Sequence, residues 1–454
     1  QLLTQSGLEV AQIALFEPIK GGLAGLVIGQ VISCTQHPNA DSLKLTQVAV
    51  GEQNVLSIVC GAPNVAIGEK VVVAPVGSQL YNKQGEAIKI KKTKIRGVVS
   101  EGMLCAEDEI GLGDTHEGIL VLDTPLPPGT PVAQHFHIQL DQVLEIDLTP
   151  NRGDACSHVG VARDIGAVLD RSIQLPDVKS FKPAEDAHLP LQVDVADQKA
   201  CPRYAGAIIS GVKVQGSPRW LKDRLKAISI QPINNIVDVA NFVLHELGQP
   251  LHIFDYDQIV GQKLTVQQLQ PGTEIVTLDW QQRTLNGEEL VIGDQAGPLC
   301  VAGILGGERG SIQSETKNIF IESAYFKPSV IRKAAKYHGL KTDAAFRYER
   351  GIDPHQTVYA LKRACLLIQE VAGGTIASQL VDIYPQEIPP HEVTVRYDAI
   401  TRLVGLPIPP PTIHQILHRL DIGTSQQTDE GFVVTIPPYR ADVRREADLV
   451  EEIL

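Results

Sequence analysis

Residues 26–34, 43–50, 55–59, 71–74, 88–96 and 119–122 are short β-rich runs, and turn residues separate them. The separators include His37-Pro38-Asn39-Ala40-Asp41 and Gly61-Ala62-Pro63-Asn64. Five or six short strands packed into about 100 residues predict a small closed barrel or a sandwich. A long helical bundle is excluded for this part of the chain.

The pattern changes further on. A helical stretch at 157–169 leads into a polar, proline-bearing linker at about 171–190, which marks a domain boundary. Between about 193 and 375 both periods occur. Ile233, Ile236, Val237, Ala240, Val243, Leu244 and Leu247 fall at i, i+3, i+4 spacing and predict a helix. Pro232 suits its first turn, Gly248 its left-handed stop, and Pro250 bars continuation. A second helix is predicted at 354–371, capped by Asp353 and ended by Gly373-Gly374. Strands at 264–268, 290–292 and 319–321 make this an α+β unit. After a proline-rich linker at 384–391 come short helices near 398–404 and 412–420, a strand at 432–436 and an acidic terminal helix.

The 454 residues suggest about three domains. Apolar residues are 43% and charged residues 20%, the balance of a globular chain. No apolar run approaches the ~20 residues of a membrane span. The net charge of −13 rules out a whole-chain basic footprint for nucleic acid, so any such contact must be local. Seven widely spaced cysteines contain no CxxC pair, which argues against a zinc ribbon or a disulfide framework and for a reducing compartment. Met103 is the only methionine, and the chain stops inside a helical run. A piece of a longer protein, trimmed at both ends, is therefore expected.

Several groups carry chemistry. Residues 81–97, YNKQGEAIKIKKTKIRG, hold six basic residues and one acid. Such a run can pair with phosphates, or it can be a solvated strand edge whose lysines block aggregation. VAGILGGE (301–308) lacks the Lys-Ser/Thr ending of a phosphate-binding loop, so its glycines serve a tight turn or a close approach to the backbone. His252 follows the long helix, and Glu322 lies among apolar residues at a predicted strand end. A carboxylate there is either buried with a partner or turned into a pocket. On the last helix Asp448, Glu451 and Glu452 share one face, with Asp442 upstream. They would suit Mg²⁺, or form a solvated acidic face balanced by Arg444 and Arg445.

Taken together, these segments resemble the β subunits of bacterial-type phenylalanyl-tRNA synthetase. The resemblance rests on HPNADSLKLTQV (37–48), IVCGAPN (58–64), KIRGVVSEGMLC (94–105), LTPNRGDACSHVGVARDI (148–165), INNIVDVANFVLHELGQPLHIFD (233–255), AGILGG (302–307), ESAYFKPSVIRKAAKYHGLKTDAAFRYERGIDP (322–354) and READLVEEI (445–453). They stand in family order over nearly the whole chain.

The resemblance implies an α+β multidomain chain. Residues 17–126 would be a tRNA-binding-type OB-fold barrel, inserted in a discontinuous N-terminal α/β domain of 1–16 and 127–190. An α+β editing domain would span 193–380, and an incomplete, helical, DNA-binding-like domain facing the partner subunit would span 391–454. It also implies a cytoplasmic (αβ)₂ heterotetramer that joins phenylalanine to tRNA(Phe) using ATP at a site in the α subunit, with no membrane or DNA contact. His252, Glu322, Asn241, Gly306, Thr342 and Ala344 match the family's editing pocket. There an ionised Glu322 would accept a hydrogen bond from the phenol of misattached tyrosine. Asp442, Asp448, Glu451 and Glu452 match ligands of a Mg²⁺ shared with the α subunit. Lys89, Lys91, Lys92, Lys94 and Arg96 are the candidate tRNA contacts. The competing functions are a free-standing aminoacyl-tRNA deacylase and a non-enzymatic tRNA-binding protein.

Overall fold

A computed structural model describes every residue except 82–84, 114 and 139. It forms two compact units, one of Gln12–Glu145 and one of Gln1–Ala11 with Ile146–Leu454.

The smaller unit is built on an antiparallel sheet. Its strand order is Gly102–Leu104, Lys70–Pro75, Val27–His37, Ala40–Ala49, Val55–Cys60. The alternation of the strands buries both faces. Ile28, Val72 and Ala74 join one apolar cluster, and Val31, Val48, Val71 and Val73 another. The predicted strand at 88–96 is instead two short pieces. Ala87–Lys89 pairs with Gln79–Tyr81, and Thr93–Ile95 pairs with Val98–Ser100. The break has two causes. Ile90 turns into the core, and Arg96 and Gly97 take φ of 46° and 97° in a tight reversal. Residues 119–122 add only an isolated bridge between Val71 and Val121.

The larger unit holds the α+β arrangement. Its central antiparallel sheet runs Leu251–Asp255, Asn318–Tyr325, Arg203–Ser210, Thr375–Ile376. Period two sorts its side chains. Ala205, Ala207, Ile209, Ile253, Ile319 and Ile321 point to helices Asn235–Leu247 and Thr357–Ala372. Tyr204, Ile208, Phe254, Phe320 and Ala324 point the other way, to a second sheet. That sheet runs Gln192–Val195, Lys263–Gln268, Leu290–Asp294, Gly297–Val301, Leu305–Gly306. The result is three layers, one helical and two of sheet.

Helix Asn235–Leu247 starts later than Pro232 predicts. The Asn234 side chain accepts from the Ile236 and Val237 amides at 3.0 and 2.9 Å and so sets the start. Gly248, at φ 80°, ends it as expected. Across residues 391–454 the three expected helices and the strand at 432–436 are present, and two further strands, His391–Arg396 and Gly423–Ser425, accompany them. Strands His391–Arg396, Gly431–Ile436 and Gly423–Ser425 form an antiparallel sheet that packs with helices Tyr397–Val404, Pro410–Arg419 and Glu446–Ile453. Among the described residues no helix is long and apolar enough to cross a membrane.

Candidate functional site

The central and second sheets of the larger unit leave a pocket between them that is open to solvent, with about 60 Å³ of space inside. Strand Leu251–Asp255 contributes His252, and strand Asn318–Tyr325 contributes Glu322. Cys300, Ile304 and Gly306 come from the second sheet and its turn, and Ala344 and Tyr348 from helix Asp343–Tyr348.

The register decides the chemistry. His252 lies directly opposite Glu322 on neighbouring antiparallel strands, so both side chains rise from the same face. Glu322 is in mid-strand, not at the strand end that the sequence predicts, and is only 3% exposed. Its Oε2 accepts a 3.4 Å hydrogen bond from the Tyr204 hydroxyl. Burial pushes its pKa up to about 8, with Tyr204 pulling weakly the other way. Burial thus favours the neutral acid over the ionised carboxylate expected above.

His252 is half-buried by area, but its ring is enclosed. It meets Phe254 edge-on, with centroids 4.4 Å apart. A Cβ at Gly306 would stand 2.6 Å from its Cε1 and 2.9 Å from a methyl of Leu278. A side chain at this position would have to displace one of them. Burial lowers the His252 pKa to about 4, so the imidazole is neutral at pH 7. Gly303, at φ 67°, makes the turn that brings the glycine segment back over the cavity.

Two predicted residues do not border the cavity. Asn241 sits on helix Asn235–Leu247, whose apolar stripe covers the opposite face of the central sheet. Thr342 acts one step away. Its hydroxyl donates to the Ile304 carbonyl at 2.8 Å and accepts from the Ala345 amide at 3.1 Å, which caps the helix carrying Ala344. Tyr204, Cys300 and Tyr348 escaped the sequence reading. The only signal for Tyr204 is a hydroxyl-bearing ring on an otherwise apolar strand.

The terminal acids are differently placed. Arg440, 4% exposed, donates to both oxygens of Asp442 at 3.1 Å and to both oxygens of Glu452. Asp448 accepts from the Arg444 and Arg445 amides at 3.0 and 2.8 Å and from the Arg445 guanidinium at 2.9 Å. Glu451 is exposed. Among the described residues no group of three or more His, Cys, Asp or Glu side chains could hold a metal ion. The predicted metal set does not fit Mg²⁺ in this arrangement, because arginines already supply the positive charge. The balancing residues are Arg440 and Arg445. The Arg444 guanidinium instead donates to the Ala441 carbonyl.

In the smaller unit Lys89, Lys91, Lys92, Lys94 and Arg96 are all exposed, across the two short hairpins. Lys92 pairs with Glu101 at 2.8 Å. Residues 82–84 of the basic run lie outside the described residues.

Three family models match parts of the chain. Residues 26–131 match a tRNA binding domain, 200–373 a B3/4 domain and 393–454 a tRNA synthetase B5 domain. The class is thus a multidomain chain of the tRNA synthetase type. The phenylalanine–tRNA ligase beta subunits of Bacteroides fragilis and Porphyromonas gingivalis are each 46% identical to it over 100% of its length. The matches cover 56% and 55% of those relatives, so the chain spans just over half their length. An N-terminal fragment of the phenylalanyl-tRNA synthetase beta subunit from Pyrococcus horikoshii is 18% identical. That likeness covers 68% of this chain and 85% of the fragment, at a TM-score of 0.36. The chain belongs to the phenylalanine–tRNA ligase β-subunit family.

Proposed function

We propose that this chain works in an (αβ)₂ ligase that attaches phenylalanine to tRNA(Phe) with ATP, and that its own cavity hydrolyses tyrosine misattached to that tRNA. The aminoacylation centre belongs to the α subunit. The observation that carries the proofreading reading is Glu322, a buried acid facing a cavity opposite His252.

Tyrosine differs from phenylalanine by one hydroxyl, and an apolar synthetic pocket rejects an added hydroxyl only about a hundredfold. A second pocket that requires the hydroxyl corrects the remainder. The neutral Glu322 acid presents an O–H to the phenolic oxygen. Phenylalanine leaves that donor buried and unpaired, at a cost of about 1–3 kcal/mol. Water then attacks the ester carbonyl and the bond to the ribose oxygen breaks. Free tyrosine and the tRNA 3′ hydroxyl result. A neutral imidazole with a pKa near 4 is a weak base, so His252 orients the water or the terminal ribose and does not carry off its proton. Gly306 and Ala344 leave room for the ring, and Thr342 anchors the wall behind it.

The remaining assignments belong to the same proposal. Residues 17–126 are read as the tRNA-binding-type OB fold, inserted in a discontinuous N-terminal domain of 1–16 and 127–190, with Lys89, Lys91, Lys92, Lys94 and Arg96 as its candidate tRNA contacts. Residues 193–380 are the editing domain. Residues 391–454 are the subunit-facing, DNA-binding-like domain, and the enzyme works in the cytoplasm.

The test is Glu322→Ala in the assembled αβ enzyme. Clearance of Tyr-tRNA should fall at least about tenfold, with phenylalanine charging unchanged. Undiminished clearance would overturn the assignment.

A further inference from the structure

We infer that Tyr204 is a positioning residue for this cavity, fixing one oxygen of Glu322 so that the other is presented to the ligand; the inference rests on the proofreading reading above.

The placement follows from strand register. Tyr204 lies directly opposite Ala324, and Gly206 directly opposite Glu322, on the strand that flanks Asn318–Tyr325 on the side away from His252. Tyr204 and Glu322 are therefore diagonal neighbours on one face. Gly206 puts no side chain between them. The Tyr204 ring is fully buried and does not border the cavity, whereas Glu322 does. Tyr204 can act on a ligand only through Glu322.

Nothing else described orients that acid. Cys201, Cys300, Tyr348 and His252 complete its titratable surroundings. Burial raises both thiols and both phenols and lowers the imidazole, so all are neutral at pH 7. The Tyr348 hydroxyl is committed elsewhere, donating to the Ala324 carbonyl at 3.0 Å. Among the described residues the one hydrogen bond reaching the Glu322 carboxyl is that from Tyr204 to Oε2. With Oε2 accepting, the proton of the neutral acid resides on Oε1, and that O–H is the donor offered to a phenol. Without the Tyr204 hydroxyl no described hydrogen bond distinguishes the two oxygens, and either can carry the proton.

The experiment compares wild type, Glu322→Ala, Tyr204→Phe and the double variant in the assembled αβ enzyme, with Tyr-tRNA and Phe-tRNA as substrates across pH 6–9. Tyr204→Phe keeps the ring and should raise KM for Tyr-tRNA hydrolysis about fivefold, with kcat within about twofold. It should also move the pH midpoint of tyrosine selectivity upward, because the lost bond favours the ionised form. In the Glu322→Ala background the same change should add less than about twofold. If Tyr204→Phe unfolds, 3-fluorotyrosine at position 204 keeps ring and hydroxyl; its stronger donor should lower both KM and the midpoint. Wild type that leaves Tyr-tRNA intact overturns the proofreading reading itself. Wild type that clears it and Glu322→Ala that does not, with an unmoved KM and midpoint in Tyr204→Phe, overturn only the role of Tyr204. An equal effect in both backgrounds marks Tyr204 as structural and also overturns it.

Discussion

Two groups of acids in this chain meet opposite fates. Glu322 is buried without a counter-charge, keeps its proton at neutral pH and lines a cavity. Asp442 and Glu452 share the buried Arg440 guanidinium, and Asp448 is held by Arg445 and two amides. Pairing saturates the second group and ties the last helix to the preceding loop. Isolation leaves the first with an unspent hydrogen bond for a ligand. The loudest acidic signal in the sequence is thus the one paired with arginines, and the quiet single glutamate is the one that borders a cavity.

The contrast breaks most visibly at Arg440. Arg440→Ala strands two carboxylates and should cost about 3–5 kcal/mol in denaturant unfolding. A loss under about 1 kcal/mol would mean that solvent, not the arginine, balances them.

Glu322 sharpens the other side. The folded acid keeps its proton to about pH 8, and the unfolded one loses it near its ordinary 4.5. Between those values only the unfolded chain releases the proton, so this group's contribution to stability falls as pH rises. Glu322→Gln removes that slope. It should gain on the order of 3 kcal/mol on wild type between pH 5 and pH 8, read from paired unfolding curves. Parallel curves would show an ionised, solvated Glu322.

The cavity itself is tested by Ala344→Trp, which fills it. Hydrolysis of Tyr-tRNA should fall about a hundredfold or more, with phenylalanine charging retained, because the substrate ring loses its space. The smallest effect belongs to the exposed pair. Arg445, with its side chain 80% exposed, gains little from Asp448, and Arg445→Ala should leave the unfolding midpoint in denaturant nearly unmoved.

Much of this was legible residue by residue. The period of 236–247 and the stop at Gly248 are local, and they appear as read. The strands at 27–37, 40–49, 55–60 and 70–75 lie within a few residues of their predicted runs, because turn residues and alternation act over short spans. The basic run misled. Its composition suits one strand, but Ile90 is drawn into the core and splits it. Arg440 was missed for a similar reason: it stands 12 residues from Glu452, and no helical spacing joins them.

By itself, then, the sequence determined the mixed α/β character, the principal helices and strands and the family, since periods, caps and motifs are written in neighbouring residues. Only the tertiary structure decided that His252, Glu322 and Tyr204 share one face, that Asn241 lies behind the sheet and that the terminal acids are spoken for by arginines. Those outcomes depend on strand register and on burial. Both are set by contacts between residues as far apart as the 118 positions from Tyr204 to Glu322.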